Sequence, residues 1–241
     1  MKKTLFFVAN LLIISTLSFA QDTPTADAII EKYIAAIGGK DAIAKITDVT
    51  KTMNAEMRGM TMETEAKFKM PNKFRQSTFM MGNESRLMIC DGTKLYSKQQ
   101  GFGNRPEQID TKEGKDAQAG ILENHPFAET LYAENKIVGA VLGTEAVDGK
   151  DAYKVEFTSE DGKKWTDFFD KTSGLKVKRT ALRKSPMGET TATILFQNYK
   201  EVGGIKFPYI IDQNFGQFQM KQEIQSVKVN KGLKDGDFVI K

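Results

Sequence analysis

The stretch MNAEMRGMTMETEAKFKM, residues 53–70, decides the fold. Met53, Ala55 and Met57 alternate with Asn54 and Glu56. After Arg58-Gly59, Met60, Met62, Thr64, Ala66, Phe68 and Met70 alternate with Thr61, Glu63, Glu65, Lys67 and Lys69. A period of two, with one apolar and one charged face, is the pattern of antiparallel strands sheltered on one side only. Further strands are expected at 73–81, 84–90 and 93–98, parted by Gly82-Asn83 and Asp91-Gly92, both good turn chemistry.

Upstream the period is 3.6 rather than 2. Ile29, Ile30, Tyr33, Ile34 and Ile37 mark one face of a helix that Thr25 can N-cap and Gly38-Gly39 can end. A second short helical turn is expected over Lys40 to Ile46. Downstream, Gln99 to Glu107 reads as a loop, and Asp116–Leu122 and Pro126–Glu134 read as short helices. Strands resume with Tyr153-Val155-Phe157, Lys164–Asp170, Leu175–Arg183, Thr190–Tyr199, Ile205–Gln213 and Gln217–Val229. Their turns are Asp148-Gly149, Asp161-Gly162, Ser173-Gly174, Gly188 and Gly203-Gly204. The expected fold is mainly β (α+β): about ten strands in a large curved antiparallel sheet, an unclosed barrel covered by the N-terminal helix and short lid helices.

Residues 1–20 read as an export signal. Lys2 and Lys3 precede an apolar run from Leu5 to Ile14, and Ser18-Phe19-Ala20 offers small residues where a signal peptidase cuts. No Cys follows the cut, so no lipid anchor is expected, and residues 21–241 are read as one soluble, monomeric, periplasmic domain. In the whole chain 35 Lys and Arg face 31 Asp and Glu, and losing Lys2 and Lys3 lowers the excess from +4 to +2. The charges are interspersed, which argues against a nucleic-acid partner. Cys90 is the single cysteine; among Leu87, Met88 and Ile89 it reads as a buried small hydrophobe rather than a reactive thiol.

Catalytic chemistry finds little to stand on. One histidine, His125, and one cysteine leave no multi-histidine or cysteine-based zinc site, and no cofactor is expected. There is no Gly-x-Ser-x-Gly elbow and no P-loop, and Gly101-Phe102-Gly103 sits in a loop. His125, before Pro126, reads as a helix-entry residue. A carboxylate pair brought together from distant strands stays open as a hydrolase alternative. The apolar signal is stronger. Eight of the ten methionines beyond Met1 lie between Met53 and Met88, where flexible thioethers either fill the core or conform to acyl chains. Trp165 and Phe169 share one strand face and Phe168 takes the other, so that strand is expected to be covered on both sides.

Lys69-Met70-Pro71-Asn72-Lys73-Phe74, Asp91-Gly92-Thr93-Lys94-Leu95-Tyr96 and Asn124-His125-Pro126-Phe127 follow one another as motifs do in the LolA/LolB-like periplasmic lipoprotein carriers, which the chain resembles. Asp148–Tyr153, Phe169-Asp170 with Ser173-Gly174-Leu175, and Gly204–Pro208 look like a related branch of exported proteins. The resemblance implies a half-barrel with a helical lid over a hydrophobic cavity, and a partner set of lipid or lipoprotein acyl chains with transient inner- and outer-membrane proteins. It points to Met57, Met62, Phe68, Met70, Phe74, Met88 and Trp165 as the lining, with Phe127 and Leu131 on the lid. One position departs from the carriers: where they commonly place a lid-holding arginine before the proline, this chain has Met70. The rival reading is a non-catalytic sensor or scaffold of the same fold that docks a membrane protein, its interior filled by its own side chains.

Overall fold

The computed structural model describes residues 23–57, 59–101, 106–185, 188–216 and 218–239; the leader read at 1–20 lies outside them. Thr25 caps α1 (Ala26–Ala36) by accepting the Ala28 N–H at 3.2 Å, and α2 (Lys40–Ala44) follows the glycine pair. A first meander then runs β1 (Asp48–Met57), β2 (Met60–Lys69), β3 (Lys73–Met80), β4 (Asn83–Cys90), β5 (Leu95–Gln99) and β6 (Gln108–Lys112). The chain crosses through α3 (Gly114–Asn124) and a 3₁₀ turn, Ala128–Leu131, into a second meander. That meander is β7 (Val138–Val147), β8 (Lys150–Thr158), β9 (Lys164–Asp170), β10 (Lys176–Ser185), β11 (Gly188–Val202), β12 (Ile205–Asn214) and β13 (Gln219–Val229).

Pairing of β1 with β13 joins the two meanders into one antiparallel sheet of thirteen strands among the described residues, with β6 and β7 as its free edges. The sheet does not close. This topology explains where the lid comes from. The segment between β6 and β7 must travel from one edge of the sheet to the other, and it takes α3 and the 3₁₀ turn with it. α3 packs on β3 and β5, and α1 packs on β7 and on the 3₁₀ turn. The main core lies between these helices and the sheet, around Ile29, Tyr33, Ile37, Val49, Phe127, Tyr132, Phe157, Phe169, Ile205 and Phe207.

Two strands and one helix depart from the sequence reading. β6 was not marked as a strand; its residues are all exposed, so no apolar alternation marks it. β7 was not marked as a strand because small residues hide its period and a bulge between Val141 and Gly143 breaks it. Its Gly139 has a packing reason: a Cβ there would meet the Ala26 Cβ at 2.6 Å and the Phe157 ring at 2.9 Å. The helix expected over Pro126–Glu134 is only the 3₁₀ turn, since Phe127 adopts φ −129°, ψ 44° and turns its ring into the core. His125 accordingly caps the exit of α3 instead of opening a helix. Cys90 is fully buried, as its neighbours implied.

Candidate functional site

Strand register sorts the inner face of the first meander into rows. Nearest the helices, Val49, Phe68, Phe74, Cys90 and Leu95 lie side by side across β1 to β5. Phe74, Cys90 and Leu95 pack with Ala117 and Ile121 of α3, so this row is closed over. The next row is mixed: Val227, Lys51, Ala66, Gln76, Met88 and Ser97. Beyond it Met53 pairs with Thr64, and Thr64 Oγ1 meets Thr78 Oγ1 at 3.1 Å. Farthest out, Ala55, Met62 and Met80 form an apolar row. Met60, Met62, Met80 and, on β13, Met220 are half-buried and belong to none of the three core clusters. The inner face is thus sealed at one end and only partly covered at the other.

Under the lid the second meander supplies charge. Glu129, on the 3₁₀ turn, is 5 % exposed and accepts from Lys176 Nζ; Arg179 Nη2 stands 3.7 Å from the same oxygen. The Arg179 guanidinium grips fully buried Asp167 through Nε at 2.6 Å and Nη2 at 2.7 Å and donates to the Tyr132 hydroxyl at 3.1 Å. Burial alone would push the Asp167 carboxyl up; the guanidinium overrides this and holds it below its usual range. Burial raises the phenols of Tyr33, Tyr132 and Tyr199, which stay neutral, and Tyr199 donates to the Lys176 carbonyl at 2.8 Å. A bulge between Lys176 and Lys178 puts both Lys176 and Arg179 on the inner face. The lid is therefore fastened to β10 by ion pairs in a dry setting, where removing one partner strands the other.

Rings complete the fastening. Phe127 stands 6.1 Å from Phe207, and Tyr132 stands 5.1 Å from Phe157 and 5.8 Å from Trp165. His125 Nδ1 accepts the Phe127 N–H at 3.1 Å. The Pro71 backbone favours the charged ring but does not outweigh burial. Burial pushes the His125 ring below its ordinary value, which keeps it neutral. Met70 packs against the core cluster that holds Phe127, and ion pairs fasten the lid to β10.

Lys51 stands apart from these pairs. It is deep enough that burial, together with the like charge of Lys176, lowers its ammonium to about 8, yet part of its surface still reaches accessible space. Its described neighbours are rings, Phe207 at 4.9 Å and Phe68 at 5.8 Å from Nζ.

No family sequence model and no curated protein matches the chain. Solved structures do. A LolA superfamily protein from Nitrosomonas europaea shares 14 % identity over 90 % of this chain and 99 % of its own, with a TM-score of 0.58. The fold is LolA/LolB-like. A DUF1329 family protein from Desulfovibrio piger (13 % identity, 90 % and 98 % covered, TM-score 0.53) is built the same way. So is an outer membrane lipoprotein-sorting protein domain from Vibrio parahaemolyticus (14 % identity, 88 % and 94 % covered, TM-score 0.51).

Within this LolA-like frame the residues singled out from the sequence separate into groups. Phe68 and Phe74 meet at 6.4 Å in the closed row, with Met88 packed beside them. Phe127, Trp165 and Met70 belong to the main core around the lid. Phe74 and Phe127 are each only 2 % exposed. Trp165 and Phe169 do share the inner face, and Phe168 lies on the outer one with Val147 and Ala152, beneath Lys154 and Lys178. Met62 sits on the partly covered outer row, and Leu131 is half-buried at the end of the lid turn. The Met57 backbone pairs with Met60, while its side chain lies outside the described part of the molecule. The sequence reading missed Lys51, Glu129, Asp167, Lys176 and Arg179. Two of them left a signal: Lys51 occupies the apolar phase of β1, in step with Val49, Met53 and Ala55, and Asp167 lies in the covered phase of β9, between Trp165 and Phe169.

Proposed function

We propose that the chain is an exported, non-catalytic periplasmic carrier or binding protein for lipid-like ligands. The acyl chains of lipoproteins moving between inner and outer membranes are the leading cargo. The observation that carries this reading is the row of half-buried methionines, Met60, Met62 and Met80, which continues the inner face beyond its sealed end. Such a row offers apolar, adaptable surface that water now touches, and each methylene buried there contributes about 0.8 kcal/mol before ordering costs. Binding draws on burial alone, so it needs no cofactor, and hand-over requires only an acceptor of higher affinity. Among the described residues no helix is long and apolar enough to cross a membrane, and no group of three or more His, Cys, Asp or Glu is placed to hold a metal. In this reading the carrier is soluble and monomeric and meets its membrane-protein partners only transiently.

The test is native mass spectrometry of protein purified without detergent from an exporting host, followed by uptake of added acyl peptide or phospholipid. Uptake is expected for the natural chain and is expected to fall by about tenfold or more in Met62→Asp/Met80→Asp, checked for fold by circular dichroism because the two positions face each other across β2 and β3. A chain that neither carries nor takes up lipid sinks the carrier reading. The sensor or scaffold reading then takes its place, and it has its own support: Phe127, Tyr132, Phe157 and Trp165 already fill the space beneath the lid.

A further inference from the structure

Among the described residues Lys51 is a cation without a counter-ion. The described residues provide it no hydrogen bond and no ion pair, and it is not among those whose partners go unprinted. The buried carboxylates of this face are already committed: Glu129 on the lid turn holds Lys176 and touches Arg179, and Asp167 on β9 holds Arg179. The like charge of Lys176 pushes against Lys51 rather than stabilising it. A surface lysine escapes such a position by reaching into bulk water. Lys51 instead stays between two aromatic rings at depth, with small Ala66 as its neighbour on β2 and Val227 on β13. Next along the same face of β1 come Met53 and Ala55, and from there Met62 and Met80 across the strands. At roughly 3.3 Å per residue, the path along β1 from Lys51 to Ala55, in register with Met62 and Met80, is about 13 Å, within the reach of a twelve-carbon acyl chain.

We propose that Lys51 is the head-group site for a long-chain carboxylate, a free fatty acid whose chain lies along β1 toward Met62 and Met80. The inference rests on the carrier reading and narrows its cargo from any acyl chain to an anionic single-chain amphiphile. The carboxylate supplies the missing negative charge and accepts the ammonium protons, while the rings of Phe68 and Phe207 wall the head group from water. A neutral head of the same chain length gains the apolar burial and none of the charge pairing.

The experiment compares laurate with dodecanol by calorimetric titration of the detergent-free natural chain and of Lys51→Met and Lys51→Arg, each checked for fold by circular dichroism. Laurate is expected to bind the natural chain about tenfold or more tighter than dodecanol, the factor that one charge-assisted hydrogen bond supplies. Lys51→Met should erase that preference while leaving dodecanol binding in place, and Lys51→Arg should keep most of it. Equal binding of the two ligands to the natural chain overturns the Lys51 assignment and leaves the carrier reading standing. So does a preference that survives in Lys51→Met. If the methionine variant does not fold, the comparison on the natural chain and the arginine variant decides alone. Binding of neither ligand to the folded natural chain overturns the assignment together with the carrier reading.

Discussion

A single lysine in the apolar phase of a strand costs the fold stability, and that cost is measurable. Lys51 titrates at about 8 in the folded chain against an ordinary 10.5, because burial and then Lys176 disfavour its charge. Between these values the unfolded chain holds more protons than the folded one, so stability rises with pH across that window. Below about 8 the lysine is protonated in both states, and the full penalty applies. Lys51→Met, which is one atom shorter and discards the charge, is therefore expected to stabilise the protein at pH 7 by about 1–3 kcal/mol. The gain should shrink as the pH approaches 10.5. Urea denaturation at the two pH values measures it, and no gain at pH 7 would mean that Lys51 is solvated. A residue that weakens the fold where a methionine would strengthen it is the kind of position that function retains.

At the scale of elements the lid turn is the decisive piece. Four residues of 3₁₀ helix hold their place because Glu129 pairs with Lys176 and Arg179 of β10 and because Phe127 and Tyr132 insert rings beside Phe207 and Phe157. In such a dry pair the loss of one partner costs more than the loss of both. Glu129→Leu should destabilise the chain by about 3–5 kcal/mol, and adding Lys176→Met should recover most of that loss. A double-mutant cycle in urea reads the coupling. A cost under about 1 kcal/mol for Glu129→Leu would place the pair in water, with no hold on the lid. None of this was legible beforehand. Glu129 sits in a stretch, Pro126–Glu134, that reads as a short helix. Lys176 and Arg179 differ by an odd number, so alternation puts them on opposite faces, and only the bulge in β10 brings them together. The opposite case is β9, where alternation runs unbroken and the split between Trp165 with Phe169 and Phe168 was read correctly.

For the whole molecule, a ligand that seats along the methionine row links its binding energy to folding. A site filled at about 100 times its dissociation constant adds about 2.7 kcal/mol to stability. For a chain of this size that corresponds to a rise in melting temperature of about 5–10 °C. Saturating laurate should raise the melting temperature of the natural chain by that amount and leave Met62→Asp/Met80→Asp unmoved. An equal rise in both would place the ligand outside the row.

The sequence by itself determined the local units. Period-two alternation gave the hairpins of the first meander, the Gly-containing pairs gave their turns, and Thr25 with the Ile/Tyr spacing gave α1, because each depends on neighbours within a few residues. Motif order along the chain gave the LolA/LolB-like resemblance. What only the tertiary structure decided is long-range. The pairing of β1 with β13 joins residues about as far apart as the chain allows, and no local pattern encodes it. The passage of α3 and the lid turn over the inner face follows from that pairing, since it leaves β6 and β7 at opposite edges. The count of charges beneath the lid follows in turn, because strands distant in sequence contribute Lys51, Asp167, Lys176 and Arg179 to one face, and the bulge in β10 turns two of them inward.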